Sequence, residues 1–80
     1  MRGKTKKVLE YLQRNGSITT IEAFLNFNAT RLSAIIFNLR KYGYRIISKP
    51  ETHTNALGET SHYVRYMYDY DFNKFKGGID

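Results

Sequence analysis

The sequence contains no cysteine, so this chain can form neither a disulfide bond nor a thiolate metal site. It has no apolar run that approaches the roughly 20 residues of a membrane-spanning helix, and it shows no signal peptide. It also has no stretch rich in proline, glycine and serine that would mark a linker between domains. From these absences we expect one cytoplasmic domain, residues 1–80, with no membrane partner.

Residues in a recognisable catalytic arrangement are also missing. His53 and His62 are the two histidines of the chain, and no cluster of carboxylates accompanies them. The serines have no nucleophile motif around them, and the sequence has no glycine-rich loop suited to phosphates. We therefore expect a protein that is not an enzyme and that holds no metal and no cofactor.

Acidic residues are few in the first part of the chain. Residues 1–49 contain ten lysines or arginines and two acids, whereas residues 50–80 contain three lysines or arginines and five acids. Basic charge that is concentrated in one segment is typical of a nucleic-acid surface. The apolar content of 41%, which includes twelve tyrosines and phenylalanines, indicates a packed core rather than a disordered chain.

Residues 30–42 predict a short amphipathic helix. Thr30 or Asn28 is suited to cap its N-terminus, because the side-chain oxygen can accept from a free amide of the first turn. Gly43 stands where a left-handed C-cap is needed. The apolar residues at helical spacing are Leu32, Ile36 and Leu39. We expect this face to be buried and the opposite face to carry the polar and basic side chains.

Two further helices are predicted before this one. The first starts at Lys4 or Thr5 and ends at Gly16. The second starts at Thr19, and Glu22 three residues later completes the spacing of a capping box. The apolar positions at helical spacing are Val8, Leu9 and Leu12 in the first helix and Ile21, Phe24 and Leu25 in the second. The phenylalanines that suit the core are Phe24, Phe27 and Phe37. The second and third helices, both short and joined by a brief turn, form a helix-turn-helix motif.

The sequence after the third helix changes to strand-forming residues. Residues 44–49 and 62–68 are rich in aromatic and β-branched side chains and predict two strands. We expect Pro50 to end the first strand. The residues expected at the polar tip between the strands are His53, Asn55 and Gly58. A hairpin over residues 44–68 that follows a helix-turn-helix has the position of a wing.

The expected fold is therefore α+β: a winged helix-turn-helix in which a three-helix bundle is followed by a two-stranded β-hairpin wing. Its core spans residues 5–68, and we expect Ser17 and Ile18 to form a stub strand beside the hairpin. Residues 69–80 form a C-terminal tail. The aromatic residues of this tail are Tyr70, Phe72 and Phe75. They exceed what a solvated tail needs, so we expect them to dock on the bundle or on a second subunit.

Five segments carry a resemblance to known proteins: KVLEYL at 7–12, GSIT at 16–19, EA at 22–23, TRLSA at 30–34 and LRKYGY at 39–44. Across residues 5–68 the chain resembles a family of short helix-turn-helix proteins that is common in bacteriophage and prophage genomes. The resemblance implies a small winged helix-turn-helix domain that binds DNA. It also implies that Arg31, Ser33 and Arg40 face the DNA.

Two positions of the third helix depart from the pattern of that family. Ile35 stands where relatives often carry an arginine, and it would contact a partner protein or a thymine methyl group. Asn38 stands where relatives often carry an acid. Its expected contact with a base therefore follows from its amide chemistry and not from the resemblance.

We expect the third helix to lie in the major groove of double-stranded DNA, because arginine pairs well with guanine and asparagine with adenine. The residues expected to contact bases are Arg31, Ser33, Ala34 and Asn38. The residues expected to contact phosphates are Thr30, Arg40, Lys41, Arg45, Lys49, Lys4 and Lys7. A small domain offers a small footprint, so we expect a homodimer on a two-fold-related site. The expected role is a phage or prophage regulator of transcription, or an accessory factor in another DNA transaction.

Two other functions are open at this point. The winged fold could bind a host or phage protein through Ile35, the wing or the aromatic tail. The tyrosine-rich hairpin could instead stack single-stranded nucleic acid on rings such as Tyr63 and Tyr66. Alternating tyrosines are also typical of a half-buried hairpin, and this favours packing over stacking.

Overall fold

The structure is a computed structural model that describes residues 3–73. Its elements in chain order are α1 (Lys4–Asn15), β1 (Ser17–Thr19), α2 (Thr20–Phe27), α3 (Leu32–Lys41), β2 (Ile46–Thr54) and β3 (Thr60–Tyr68), and a single helical turn follows at residues 70–73. The strands form one antiparallel sheet. Among residues 3–73, no helix is long and apolar enough to cross a membrane.

α1 has the buried face and the end that its sequence predicts. Val8, Leu9 and Leu12 are buried. Gly16 ends the helix in the left-handed conformation (φ 89°), and its N–H donates to the Leu12 carbonyl oxygen at 2.8 Å. A residue with a side chain is strained at this φ. The prediction that Gly16 terminates α1 is therefore confirmed.

α2 begins with the predicted capping box. The Thr19 hydroxyl accepts from the Glu22 N–H at 3.2 Å, and the Glu22 carboxylate accepts from the Thr19 N–H at 2.8 Å. At the other end of α2, Asn28 is left-handed (φ 53°) and its N–H donates to the Phe24 carbonyl at 2.8 Å. The Lys4 ammonium donates to the Asn28 carbonyl at 2.8 Å. Asn28 thus closes α2.

α3 starts two residues later than predicted, at Leu32. Arg31 occupies the N-cap position, and its side chain makes no capping hydrogen bond. The prediction that Thr30 or Asn28 caps this helix is wrong. Asn28 is already used to close α2, and Thr30 lies one residue before the N-cap.

The end of α3 at Lys41 is closed as the sequence predicts. Gly43 has a φ of 97°, which suits glycine and few other residues. Its N–H donates to the Arg40 carbonyl at 3.0 Å, and the Tyr44 N–H donates to the Leu39 carbonyl at 3.2 Å. These two bonds form a Schellman motif, which satisfies carbonyls that the helix leaves free.

The sheet has three strands in the order β1-β3-β2, whereas the predicted wing had two. β1 is the expected stub strand, and Ser17 lies opposite Met67. β2 begins at Ile46 rather than at residue 44 and continues through Pro50 to Thr54. The prediction that Pro50 ends the strand is wrong. β2 is an edge strand, where a proline without an amide hydrogen is tolerated.

The tip of the hairpin is a turn over residues 55–59. The Asn55 side-chain oxygen accepts from the Leu57 N–H at 2.9 Å and from the Glu59 N–H at 3.0 Å. Asn55 and Gly58 therefore lie at the tip as predicted. His53 does not, because it belongs to β2 and pairs with Ser61 across the hairpin.

The core lies between the helices and the sheet. Its buried apolar residues are Val8, Leu9, Leu12, Ile18, Ala23, Ala29, Leu32, Ile36, Leu39 and Ile46. Tyr66 and Tyr68 pack against this core from β3. The sequence-based preference for packing of the alternating tyrosines is confirmed for these two rings.

α2 turns a different face inward from the one that its apolar residues predict. Ile21, Phe24 and Leu25 are 67%, 51% and 74% exposed. Ala23 is buried instead, and Phe27, four residues later, is half-buried with its ring 5.7 Å from that of Tyr11. The predicted inward face is wrong, because periodicity identifies an apolar stripe but not which stripe meets the core.

The start of the predicted tail folds back onto the domain. The Tyr70 hydroxyl donates to the Leu12 carbonyl at 3.1 Å, so this ring docks on α1. Asn73 is buried, and its side chain accepts from the Arg45 N–H at 2.8 Å and donates to the Arg45 carbonyl at 3.0 Å. Phe75, the third aromatic residue of the predicted tail, lies outside the described residues.

Candidate nucleic-acid interface

One face of α3 is buried and the other is exposed. The exposed residues of the helix are Ser33, Ala34, Phe37, Asn38, Arg40 and Lys41. Thr30 and Arg31 are exposed immediately before the helix. We call these residues together the α3 surface. It contains all four predicted base-contact residues and three of the predicted phosphate-contact residues.

The charge of the α3 surface is basic, since it carries Arg31, Arg40 and Lys41 and no acid. Within residues 3–73, no carboxylate forms an ion pair with any of these three side chains. Arg31 is not used in capping either. Positive charge without a neutralising partner attracts an anionic ligand, and a polyanion is the best match for several such charges on one helix.

Phe37 lies on the α3 surface and not in the core, where the sequence placed it. Its side chain is 59% exposed, and the Lys41 ammonium lies 5.2 Å from the centre of its ring. The core prediction for Phe37 is wrong. A signal was available, because Phe37 stands four residues after Ser33 and four before Lys41, and positions four apart share a helix face.

Ile35, in contrast to Phe37, packs toward the core. It is half-buried and contacts the core, since it stands three residues after Leu32 and four before Leu39, both of which are buried. The expectation that Ile35 contacts a partner protein or a thymine methyl is not supported by this position. Its apolar side chain contributes to packing beneath α3.

Arg40 joins α3 to β2. Its Nε donates to the Ile46 carbonyl at 3.1 Å, and its Nη2 donates to the same oxygen at 2.6 Å and to the Ser48 hydroxyl at 3.0 Å. The guanidinium has five N–H donors, and these bonds leave those on Nη1 for another acceptor. Arg40 therefore positions the hairpin relative to α3, and within residues 3–73 no hydrogen bond engages its Nη1.

The remaining predicted phosphate contacts lie outside α3. Lys4 and Lys7 belong to α1, and Lys4 is bound to the end of α2. Arg45 pairs with Asp69 at 3.4 Å and lies 5.6 Å from the centre of the Phe72 ring. Lys49 lies 3.9 Å from Glu51. Arg45 and Lys49 are exposed, but each has an acidic neighbour that a phosphate would have to replace.

Residues 3–69 match the winged helix-turn-helix domain family. The chain belongs to this family. The match covers the elements from α1 to β3, including the short β1, and ends before the helical turn at residues 70–73. No curated protein sequence matches the chain. Winged helix-turn-helix domains typically bind DNA and are typically not enzymes, so family membership suggests a DNA partner.

The wing of this winged helix-turn-helix domain is anchored by Arg65, a residue that sequence reasoning did not select. Its Nε donates to Glu51 at 2.9 Å, and its Nη1 lies 3.6 Å from the Glu22 carboxylate and donates to the Ser17 hydroxyl at 3.2 Å. Arg65 thus connects β3 to β1, β2 and α2. The only sequence signal was its place in an alternating strand, which does not name a partner.

The pKa of the Glu51 carboxyl is held below its usual value, chiefly because Arg65 donates a hydrogen bond to it. A carboxyl whose pKa is lower in the folded state adds stability above its ordinary pKa. That contribution is lost as the pH falls through the lowered pKa of Glu51. The anchoring of the wing is therefore complete at neutral pH and weakens in acid.

Of the two rings that the sequence offered for stacking single-stranded nucleic acid, Tyr66 packs against the core and Tyr63 is half-buried. Tyr66 and Tyr68 face the core, and the Tyr70 hydroxyl is bound to α1. Among residues 3–73, no three histidine, aspartate or glutamate side chains are grouped so as to hold a metal ion. The α3 surface of the winged helix-turn-helix domain combines the exposed cations Arg31, Arg40 and Lys41 with the exposed polar side chains of Ser33 and Asn38.

Proposed function

We propose that this winged helix-turn-helix domain binds double-stranded DNA, with α3 in the major groove and the β2–β3 hairpin as a wing beside it. The observation that carries the proposal is the α3 surface. It places exposed Arg31, Ser33 and Asn38 beside Arg40 and Lys41, with no acid among them. Side chains of the types that read base edges and bind phosphates thus lie on one short helix or directly before it, which supports the proposal.

The proposed roles follow the chemistry of each side chain. Arg31 contacts a guanine and Asn38 an adenine, since each can form a bidentate pair with that base. Ser33 and Ala34 complete the contact with the base edges. Residues that contact phosphates are Thr30, Arg40 and Lys41 near α3, Arg45 and Lys49 at the wing, and Lys4 and Lys7 on α1.

The proposed biological role is regulation of transcription, or accessory work in another DNA transaction, in the cytoplasm. The resemblance of the sequence to phage and prophage proteins supports this role. We also propose that the domain acts as a homodimer on a two-fold-related site, because one domain of this size has a small footprint on DNA.

The test of DNA binding is fluorescence anisotropy of a labelled mixed-sequence duplex, titrated with protein at several salt concentrations. The logarithm of the binding constant is expected to fall linearly with the logarithm of salt, with a slope of about −0.9 for each phosphate contact. Lys41→Gln is expected to make the slope smaller by about 1, whereas Arg14→Gln, which removes the same charge from the end of α1, should leave it unchanged.

A failure to bind any duplex at ~50 mM salt, where screening is weak and phosphate contacts are strong, would contradict the proposal. An equal loss of slope in Lys41→Gln and Arg14→Gln would also count against it. That result would mean that the total charge of the protein, and not the α3 surface, governs the interaction.

A second candidate function, binding of a host or phage protein, is favoured by the outward face of α2. Ile21 and Leu25 are largely exposed there. Beside Ile21, an open groove of about 330 Å³ is lined also by Tyr63 and Arg65 of the wing. If protein binding is the function, Leu25→Glu should abolish capture of the partner. The same variant should leave the affinity for DNA unchanged if DNA is the ligand.

A further inference from the structure

Phe37 occupies the middle of the α3 surface. On the helix, Ser33 and Ala34 precede it by four and three positions, and Arg40 and Lys41 follow by three and four. The ring is 59% exposed, and the Lys41 ammonium 5.2 Å from its centre holds it among polar side chains. An apolar ring is thus surrounded by polar and cationic side chains of the kinds that bind DNA.

The ring of Phe37 is not needed by the core of the domain. The buried face of α3 is made by Leu32, Ile36 and Leu39, with half-buried Ile35 beside them. Water contacts more than half of the Phe37 side chain. Covering its apolar surface with a ligand is therefore favourable, by about 25 cal/mol for each Å² removed from water.

The chemistry of the major groove limits what this ring can contact. Base edges in the groove offer hydrogen-bond donors and acceptors, and the one apolar group among them is the C5 methyl of thymine. Phe37 and Ala34 are the two exposed residues of α3 whose side chains cannot form hydrogen bonds. The cations Arg31, Arg40 and Lys41 around them match a polyanion better than an apolar protein surface.

We propose that Phe37 is a specificity-determining residue that packs against the C5 methyl group of a thymine in the bound site. This inference rests on the proposed DNA binding through α3. It adds a preference for one base that hydrogen bonding by Arg31 and Asn38 does not supply. It also places the thymine contact, which the sequence left open for Ile35, two residues later and about 200° around the helix, on the exposed side.

The experiment begins with duplexes selected from random sequence by the wild-type protein. Each thymine of the selected site is then replaced in turn by uracil, which removes the C5 methyl and leaves the hydrogen-bonding edges of the base in place. At one position we expect the wild-type protein to bind about four-fold more weakly, the effect of one buried carbon group at about 0.8 kcal/mol. Anisotropy at equilibrium measures this ratio.

Phe37→Ala is expected to bind the thymine and uracil duplexes equally well. The two proteins are compared at a salt concentration low enough for both to bind, because phosphate contacts strengthen as salt falls. Tyr42→Ala is the matched control: it removes an aromatic ring that is also about half exposed, but from the C-cap of α3. It should keep the four-fold ratio. Circular dichroism verifies that both variants are folded.

Each outcome separates the inference from the function on which it rests. Wild-type binding that is indifferent to uracil at every position overturns the inference and leaves DNA binding intact. A four-fold ratio that persists in Phe37→Ala shows that another residue contacts the methyl, and this also overturns it. If the wild-type protein binds no duplex, the proposed function and the inference fail together.

Discussion

Leu12→Ala is expected to lower the free energy of unfolding by about 2–5 kcal/mol. Leu12 is fully buried in α1, so the shorter side chain loses apolar contacts and leaves a cavity. A domain of about this size buries only about 60% of its extended surface, and typical domains are stable by about 5–15 kcal/mol. The loss is therefore a large share of the total. Urea denaturation followed by circular dichroism measures it.

Leu25→Ala is the matched control, because it removes the same atoms from α2. Leu25 is 74% exposed, so we expect a change within about 0.5 kcal/mol. The pair of variants also tests how α2 is rotated. If both variants lowered the free energy of unfolding by similar amounts, the Leu25 side of α2 would be buried. The periodicity of the sequence predicts that burial, whereas the structure shows Leu25 exposed.

Arg31→Ala is expected to weaken binding to the selected DNA site by about 1–3 kcal/mol, and to relax the preference for guanine at one base pair. Arg31 is exposed directly before α3, and its guanidinium is not used to cap the helix. A long cationic side chain at the start of a helix in the groove is placed to reach a base edge. Anisotropy on the selected duplex and on single-base variants measures both effects.

Arg14→Ala provides the control for charge, because it also removes one positive charge. Arg14 is in the last turn of α1 and is not part of the α3 surface. We expect it to leave the base preference unchanged. If Arg31→Ala weakens all sequences by the same factor, Arg31 contacts a phosphate and not a base. If Arg31→Ala changes neither affinity nor preference, Arg31 does not contact the DNA.

The ends of α1 and α3 and the start of α2 could be predicted from the sequence because their signals are local, whereas the start of α3 could not. Gly16 and Gly43 adopt the left-handed conformations that their positions indicated. Thr19 and Glu22 form the capping box that their spacing predicted. In each case the residues that bond to one another are at most a few positions apart. The α3 surface followed from the same reasoning except for Phe37, since the stripe of Leu32, Ile36 and Leu39 determines which side of the helix is buried.

Features that depend on distant residues could not be predicted in this way. Nothing near Arg65 in the sequence indicates that it donates to the Ser17 hydroxyl, 48 residues earlier in the chain. The rotation of α2 depends on Ala23 meeting other helices, and a small buried residue is a weaker signal than exposed Ile21 and Leu25. The prediction that Pro50 ends a strand fails because the place of β2 at the sheet edge follows only from the pairing order.

The pairing of β1 with β3 sets the order in which the domain can fold. Ser17 lies opposite Met67, so β1 pairs with a strand that is close to the end of the described residues. During synthesis the N-terminal part emerges first, and β1 can pair with β3 only after β3 has left the ribosome. Bringing β1 and β3 together closes the long loop between them, and the entropy cost of this closure precedes the contacts that the pairing makes. Residues 4–41 are thus synthesised before the strand that lies beside Ile18.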